Sequence, residues 1–165
     1  MDIESGEILI AGIAEMRVSG DPTKTIITYS LGSCVGVVIH DPVAKVGGIL
    51  HAMLPEALDD KSDPAFNPCK FIDTGVPLLF REAYNLGAVK NRIEVTVIGG
   101  AQIMDDSGYF NIGRRNLAAL RKIFWRNGIL IGREHVEGSL SRTVELEVGT
   151  GRVSVRLGWN EVVVL

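Results

Sequence analysis

The chain has 165 residues, of which 46% are apolar and 22% are charged. That length and composition favour one globular domain, residues 1–165, with a substantial core. The formal net charge is −3, with Lys and Arg scattered among Asp and Glu, so the sequence provides no basic stripe for phosphates and argues against nucleic acid as a partner.

The N-terminal residues lack the basic start and apolar run of a secretory signal, and no segment reaches the roughly 20 apolar residues that span a bilayer. We therefore expect a cytoplasmic protein that does not insert into a membrane. The two cysteines, Cys34 and Cys69, have no C-x-x-C spacing, so the sequence predicts neither a disulfide framework nor a thiolate zinc site.

Strand-favouring residues dominate the chain. Several segments alternate polar and apolar residues, which is typical of half-exposed strands, and a hairpin turn is expected at Thr150 and Gly151. The predicted strands are residues 8–10, 24–28, 35–40, 48–53, 92–98, 129–131, 142–148, 152–157 and 162–165.

Two segments have helical periodicity. The first covers residues 74–86, with Asp73 or Thr74 as its N-cap, and Pro77 is tolerable there only near the first turn. The second begins after Asn111, ends at residues 127–128 and carries apolar residues at i, i+3 and i+7. Many strands, two packing helices and no regular βα alternation predict an α+β sandwich.

Residues 56–68 combine charged residues with turn formers and predict a long loop. Such a loop, following a strand that carries a candidate catalytic residue, is either a lid or recognition loop or a solvated surface excursion. The sequence leaves both interpretations open.

A cysteine and a histidine lie on the two limbs of a predicted hairpin. If residues 35–40 and 46–53 pair around a turn at residues 41–45, Cys34 lies opposite His51 or Ala52. Directly opposed side chains are close enough for a thiol and an imidazole to share a proton. The pattern predicts a cysteine nucleophile and its base, although a buried hydrophobic thiol and a hydrogen-bonded core histidine would give the same residues.

The residues around Cys34 suit acyl chemistry. Gly32 and Ser33 allow a tight turn whose backbone N–H groups can donate to a developing oxyanion, which makes them candidate substrate-binding residues. Thr28 ends the preceding strand, and its hydroxyl or carbonyl can orient His51 through the other ring nitrogen.

Other candidate sites have weaker patterns. His40, His51 and His135 lack metal-ligand spacing, so no metal is predicted; we expect His40 to cap a strand end and His135 to lie on the surface. Cys69 is interpreted as a bystander thiol. Residues 99–108 (GGAQIMDDSG) lack the lysine of a phosphate loop and predict a turn packed near the site.

Four basic residues of the second helix form pairs, Arg114–Arg115 and Arg121–Lys122. Their simplest interpretation is a solvated helix face, although an acidic partner can use them.

Residues 31–42 (LGSCVGVVIHDP) and 47–55 (GGILHAMLP) resemble the signature of the CheD family of chemoreceptor glutamine deamidases. Residues 99–104, 112–116 and 150–153 resemble further blocks of that family in the expected order, so the similarity extends over nearly the whole chain from about Thr25. The family usually has an aromatic residue just before the Gly-Gly-Ala block, where this chain has Val97 and Ile98.

The resemblance implies a three-layer α/β/β sandwich with mostly antiparallel strands, related to the catalytic domain of cytotoxic necrotizing factor toxins. It also implies Cys34 as nucleophile, His51 as base and Thr28 as the orienting residue, with no cofactor. The implied reaction is hydrolysis of specific glutamine side chains on the cytoplasmic helical domain of chemoreceptors to glutamate, with release of ammonia through a cysteine thioester, in bacterial chemotaxis.

Two alternatives stay open at this point. The chain can be a regulatory binding module that docks on and stimulates a CheC-type phosphatase, with Cys34 incidental. It can also be a transglutaminase, in which a primary amine replaces water at the thioester.

Overall fold

The computed structural model describes residues 6–103 and 111–165. Two short 3-10 helices, Pro68–Lys70 and Lys90–Arg92, connect its longer elements. In that part of the chain the strands and α-helices are, in order, β1 Ile8–Ile10, β2 Glu15–Ser19, β3 Thr25–Leu31, β4 Val35–Asp41, β5 Val46–Ala52, α1 Ile72–Asn85, β6 Glu94–Gly99, α2 Ile112–Arg126, β7 Arg133–Val136, β8 Arg142–Glu147, β9 Val153–Leu157 and β10 Glu161–Val164.

The strands form two five-stranded sheets. The first sheet has the order β1-β3-β8-β9-β10, and the second sheet has the order β2-β5-β4-β6-β7. All neighbouring pairs are antiparallel except β1 with β3 and β6 with β7. The mostly antiparallel α+β fold predicted from the sequence is confirmed.

The second sheet is the middle of three layers. On one face, Val35, Val37 and Ile39 of β4 pack with the apolar sides of α1 and α2. On the other face, Val38 and Ile49 pack with residues of the first sheet. Because both faces are covered, β4 and β5 are buried along their whole lengths and have nearly continuous apolar sequences. This is the predicted α/β/β arrangement; the relation to the toxin domain stays a prediction.

Two strand predictions were wrong. Strand β2 was missed; it is a short strand at the edge of the second sheet, and its residues are mostly exposed or half-buried. The strand predicted at residues 129–131 is an extended connection, whose Ile129 and Ile131 pack against the helical core without joining a sheet. The strand in this region, β7, begins later and pairs with β6.

Helix α1 begins two residues earlier than predicted. The N–H groups of Ile72 and Asp73 donate to the carbonyls of Leu54 and Pro55, which provides backbone partners for the first turn. Its N-cap is therefore Phe71, and Pro77 lies in the second turn rather than the first. Neither α1 nor α2 combines the length and apolar composition that a membrane-crossing helix needs.

A buried carboxylate fixes the connection between β4 and β5. Asp41 is fully buried and accepts hydrogen bonds from the N–H groups of Val43, Ala44 and Val89, and it pairs with Arg92 at 2.9 Å. Burial alone would raise the pKa of Asp41, but the hydrogen bonds from Arg92 and the backbone hold that pKa well below its usual range.

We expect Asp41→Ala to lower the free energy of unfolding by about 3–5 kcal/mol, because it leaves several donors and a partly buried guanidinium without their acceptor. Urea denaturation measures the loss. Arg17→Ala is the matched control: it breaks an exposed pair with Glu15 and should cost less than about 1 kcal/mol. Equal, small effects of the two substitutions would contradict this account of Asp41.

Candidate active site

One end of the second sheet gathers the candidate residues. Strand β4 is antiparallel to both β5 and β6, so the start of β4 meets the ends of the other two strands. There Val35 pairs with Ala52 on one side and with Gly99 on the other. Cys34 directly precedes Val35, and His51 directly precedes Ala52, so the nucleophile candidate and the base candidate lie at the same end.

The predicted register of the hairpin was wrong. His51 pairs with Gly36, so Cys34 lies opposite neither His51 nor Ala52. The cause is Asp41, which pairs with Val46 in the ladder instead of forming part of the turn. The turn therefore spans residues 42–45 and shifts the pairing.

The observed register still places Cys34 and His51 on the same face of the sheet. Cys34 is two residues from Gly36, the partner of His51, and residues two apart share a face. Cys34 packs against the apolar cluster between the two sheets, and His51 contacts the first sheet through Thr28, so both side chains point into this layer. Cross-strand neighbours displaced by two positions lie about 7–8 Å apart, with their Cβ atoms somewhat closer.

Gly36 leaves room between the two side chains. It lies directly opposite His51 and has no side chain of its own. A Cβ atom at this position would lie 2.8 Å from Cδ1 of Leu31, which is too close for a residue other than glycine without displacement of that leucine.

Thr28 fixes the protonation of His51. Its hydroxyl oxygen lies 2.8 Å from Nδ1 of His51 and 2.7 Å from the carbonyl oxygen of Ala11, and all of these groups are buried. A hydroxyl has one proton, and a carbonyl oxygen can only accept, so the Thr28 proton goes to Ala11. Thr28 must then accept from Nδ1, which places the imidazole proton on Nδ1 and leaves Nε2 as the basic nitrogen.

An irregularity in β3 follows Thr28. The pairing of β3 with β8 changes register between Thr28 and Leu31, and Ser30 has a positive φ of 59°. A bulge of this kind bends a strand and redirects the side chains next to it. Leu31 is buried beyond the bulge, and the chain turns there toward Cys34.

The thiol and the imidazole are both neutral at neutral pH. Burial lowers the pKa of His51 to about 4, and burial raises the pKa of the Cys34 thiol. Nε2 of His51 is buried and has no hydrogen-bond partner among the described residues, so the Cys34 thiol is not hydrogen-bonded to it in this structure. The unpaired nitrogen faces the same layer as the sulfur.

The carbonyl groups of the loop that carries Cys34 are all hydrogen-bonded. The carbonyl of Gly32 accepts from the N–H of Ala101, and that of Cys34 accepts from the N–H of Gly100, each at 2.9 Å. The side-chain amide of Asn116 donates to the carbonyl of Ser33 at 2.9 Å. By contrast, the N–H groups of Gly32 and Ser33 donate to no acceptor among the described residues, and the N–H of Cys34 interacts only with the thiol of the same residue.

Asn116 is a functional candidate that the sequence analysis did not single out. It is fully buried on α2, and its amide nitrogen also donates to the carbonyl of Met53 at 2.9 Å. One side chain therefore joins the Cys34 loop to the residues that follow β5. The sequence pattern could have identified Asn116, because an asparagine on the buried face of an amphipathic helix needs buried hydrogen-bond partners.

The end of β6 and the residues that follow it pack against the same loop. Gly99 has a φ of 102°, and a Cβ atom there would lie 2.4 Å from the carbonyl oxygen of Cys34. Residues 99–101 lie near the site as the sequence analysis predicted for residues 99–108, but Gly99 belongs to β6 and residues 100–101 form no regular turn. Residues 104–110 lie outside the described residues.

The other two histidines are not where the sequence analysis expected them. His40 is buried within β4, and its Nε2 lies 2.7 Å from the carbonyl oxygen of Val148, so it links the two sheets rather than capping a strand. His135 is half-buried in β7 and accepts a hydrogen bond from Arg142 at 2.8 Å. Within residues 6–103 and 111–165, no group of three His, Cys, Asp or Glu side chains is arranged to hold a metal.

Cys69 lies away from this constellation. It is half-buried in the 3-10 helix before α1 and packs against the helical core. Burial raises the pKa of its thiol, and the carboxylate of Glu15 raises it further, so Cys69 is a neutral thiol at neutral pH.

Comparison with known proteins gives a consistent result. Residues 53–157 match the family model described as CheD chemotactic sensory transduction. The chain is 45% identical to the probable chemoreceptor glutamine deamidase CheD 1 of Syntrophus aciditrophicus, over 92% of this chain and 94% of that protein. It is 46% identical to the probable chemoreceptor glutamine deamidase CheD of Solibacter usitatus, over 89% and 87%, and 42% identical to that of Pyrococcus horikoshii, over 88% and 89%.

The low pKa of His51 predicts how the free energy of unfolding depends on pH. The unfolded chain binds a proton on this residue near its ordinary pKa of 6.5, whereas the folded protein does so only near pH 4. The contribution of His51 to the unfolding free energy is therefore fully present above about pH 6.5. It is lost as the pH drops toward 4, by about 3 kcal/mol for a pKa shift of this size.

Urea denaturation at pH 7 and pH 4.5 measures this loss in the unmodified protein and in His51→Gln. We expect the drop in unfolding free energy between the two pH values to be smaller in the variant by about 2–3 kcal/mol. An equal drop in both proteins would show that His51 is not held neutral by the fold.

Proposed function

Because the chain belongs to the CheD family of chemotactic sensory transduction proteins, we propose that it is a cytoplasmic chemoreceptor glutamine deamidase. Its substrates are glutamine side chains on the cytoplasmic helical domain of chemoreceptors, and its products are glutamate and ammonia. The observation that carries the chemistry is the hydrogen bond from His51 to Thr28, which leaves a basic nitrogen in the layer that also receives Cys34.

Cys34 is the nucleophile and His51 is the base. Because the pKa of the thiol is raised and the pKa of the imidazole is lowered, the resting pair is neutral and no thiolate is preformed. Nε2 of His51 takes the thiol proton as the sulfur attacks the carboxamide carbon, so proton transfer and formation of the C–S bond are coupled. The proton on Nδ1 stays in its hydrogen bond to Thr28 and keeps the ring oriented.

The free N–H groups of the Cys34 loop stabilise the tetrahedral intermediate. As the carbonyl oxygen of the substrate gains negative charge, the N–H groups of Ser33 and Cys34, beside Gly32, donate to it. The bonds from Ala101, Gly100 and Asn116 to the loop carbonyls hold these donors in place before substrate arrives.

Three proton transfers complete the reaction. The imidazolium returns its Nε2 proton to the amide nitrogen, the C–N bond breaks, and ammonia leaves a thioester on Cys34. Water then loses a proton to Nε2 and attacks the thioester carbon, and the departing sulfur recovers that proton. The net change is a carboxamide and water giving a carboxylate and ammonium, so one neutral receptor side chain becomes an anion.

We expect Cys34→Ala and His51→Ala each to reduce deamidation of a receptor cytoplasmic fragment to background, because a nucleophile and its base act as one unit. Ammonia release and mass spectrometry of the converted glutamines measure this. Cys69→Ala is the matched thiol control and should retain activity. Full deamidation by either site variant, with its fold intact by circular dichroism, would refute the assignment.

Thr28→Val should lower kcat about 10–100-fold with little change in KM, because a proton on Nδ1 then has no acceptor and the ring loses the tautomer that serves as base. Thr28→Ser keeps the hydroxyl and should recover most of the activity. Steady-state kinetics of the two variants separate orientation from packing. If serine and valine reduced kcat equally, the hydroxyl would have no role in orienting His51.

A further inference from the structure

Charge is distributed unevenly over the folded chain. Helix α2 carries five of the 17 Lys and Arg residues and none of the 20 Asp and Glu residues, so the rest of the chain has 12 cations against 20 anions. All five basic side chains of α2 are exposed: Arg114, Arg115, Arg121, Lys122 and Arg126. A protein with a net charge of −3 therefore has one strongly basic helix face.

Most of these cations have no ion pair with another residue in the part of the chain that the structure describes. Among the described residues, only Arg121 of the α2 cations has an ion pair, with Glu134 at 3.5 Å and partly exposed. Unpaired like charges on one helix repel each other and destabilise it slightly. Charge segregation of this kind favours binding of a partner with the opposite charge.

A groove runs beside this helix. Its larger part has a volume of about 420 Å³, lies between α2 and the segment that follows β5, and is lined by Leu54, Pro55, Leu58 and the small side chains of Ala118 and Ala119. A smaller part of about 140 Å³ continues along α2 and shares its lining. Leu58 is 89% exposed at the rim, so the groove offers apolar as well as charged contacts.

The cations along the groove are spaced as a partner helix would require. Arg115 and Lys122 line the larger part, and Lys122 and Arg126 line the smaller part. These residues lie at i, i+7 and i+11 on one face of α2, about 10 Å and then about 6 Å apart along the axis. Acidic residues one and two turns apart on a second helix can meet that row.

Two acidic residues also line the groove and restrict the kind of partner. Asp73 accepts a hydrogen bond from the N–H of Ala57, and Glu56 lies beside the groove opposite α2. Carboxylates at these positions would repel a continuous row of phosphates, whereas a helix with acidic and apolar residues can avoid them. The mixed rim therefore favours a protein helix.

The groove adjoins the candidate active site. Arg115 precedes Asn116, whose amide binds the carbonyls of Ser33 and Met53, and Leu54 of the groove follows Met53. The basic face and the Cys34 loop thus share one side-chain connection.

We propose that the groove along α2 is the docking site for an acidic amphipathic helix of the protein substrate, which presents its glutamine to Cys34. This inference rests on the proposed deamidase function and adds the surface that recognises the substrate. Docking through charge raises the affinity for folded substrate without changing the chemical step.

The double substitution Arg115→Glu/Lys122→Glu tests the proposal. With a receptor cytoplasmic fragment as substrate, we expect KM to rise about tenfold with kcat unchanged, because two exposed ion pairs become repulsive. With a short uncharged glutamine peptide, which has no acidic helix to dock, kcat/KM should stay within twofold of the unmodified value. The double substitution Arg152→Glu/Arg156→Glu, at exposed positions just before and within β9 on the other sheet, produces the same change in net charge and should leave KM unchanged.

The outcomes separate the two hypotheses. If the unmodified protein deamidates neither substrate, the proposed function fails; if it deamidates both and the α2 variant keeps its KM for the fragment, the docking proposal fails. A loss of the same size in the β9 variant would indicate a general charge effect and would also refute it. Binding of the receptor fragment to a Cys34→Ser protein, measured with and without the α2 substitutions, gives the affinity directly. If the Arg115→Glu/Lys122→Glu protein does not fold, Arg115→Gln/Lys122→Gln replaces it.

Discussion

The chemistry depends on where a single hydroxyl proton goes. The carbonyl of Ala11 takes the proton of Thr28, so Thr28 can interact with His51 only as an acceptor. That one restriction selects the imidazole tautomer, orients the ring and leaves Nε2 unprotonated, with no hydrogen-bond partner among the described residues. Burial supports the same state, because it lowers the pKa of His51 and keeps the imidazole neutral.

The three-layer arrangement supplies the groups that make this restriction possible. Thr28 belongs to the first sheet and His51 to the second, so the hydrogen bond exists only when the two sheets stack. On the opposite side of the second sheet, Asn116 extends from α2 to the loop that carries Cys34. The Cys34 loop is thus held from the helical layer, while His51, its proposed base, is held from the other sheet.

The sequence was sufficient for the fold class and insufficient for the geometry of the candidate residues, whose roles stay predictions. Apolar periodicity identified both helices and most strands, because β4, β5 and α2 have clear patterns. It missed β2, which lies at an edge with few buried residues. It also gave the wrong hairpin register, because one residue of uncertainty in a turn shifts every pair along the ladder, and the decisive hydrogen bonds of Asp41 come from residues far along the chain.

The roles of Asn116 and of the basic face of α2 can be recognised only in the folded protein, because they depend on tertiary contacts. In the sequence, Asn116 is one polar residue among many; in the structure it is buried and bonded to two separate segments. The arginines of α2 fit an ordinary solvated helix until the groove beside them and the acidic remainder of the chain are considered.

The tautomer of His51 can be measured directly by ¹⁵N NMR of protein with labelled histidine at pH 7. The structure predicts a protonated, pyrrole-like Nδ1 and an unprotonated, pyridine-like Nε2 for this residue. A protonated Nε2, or two nitrogens in rapid exchange, would contradict the claim that Thr28 holds His51 ready to accept the proton of Cys34.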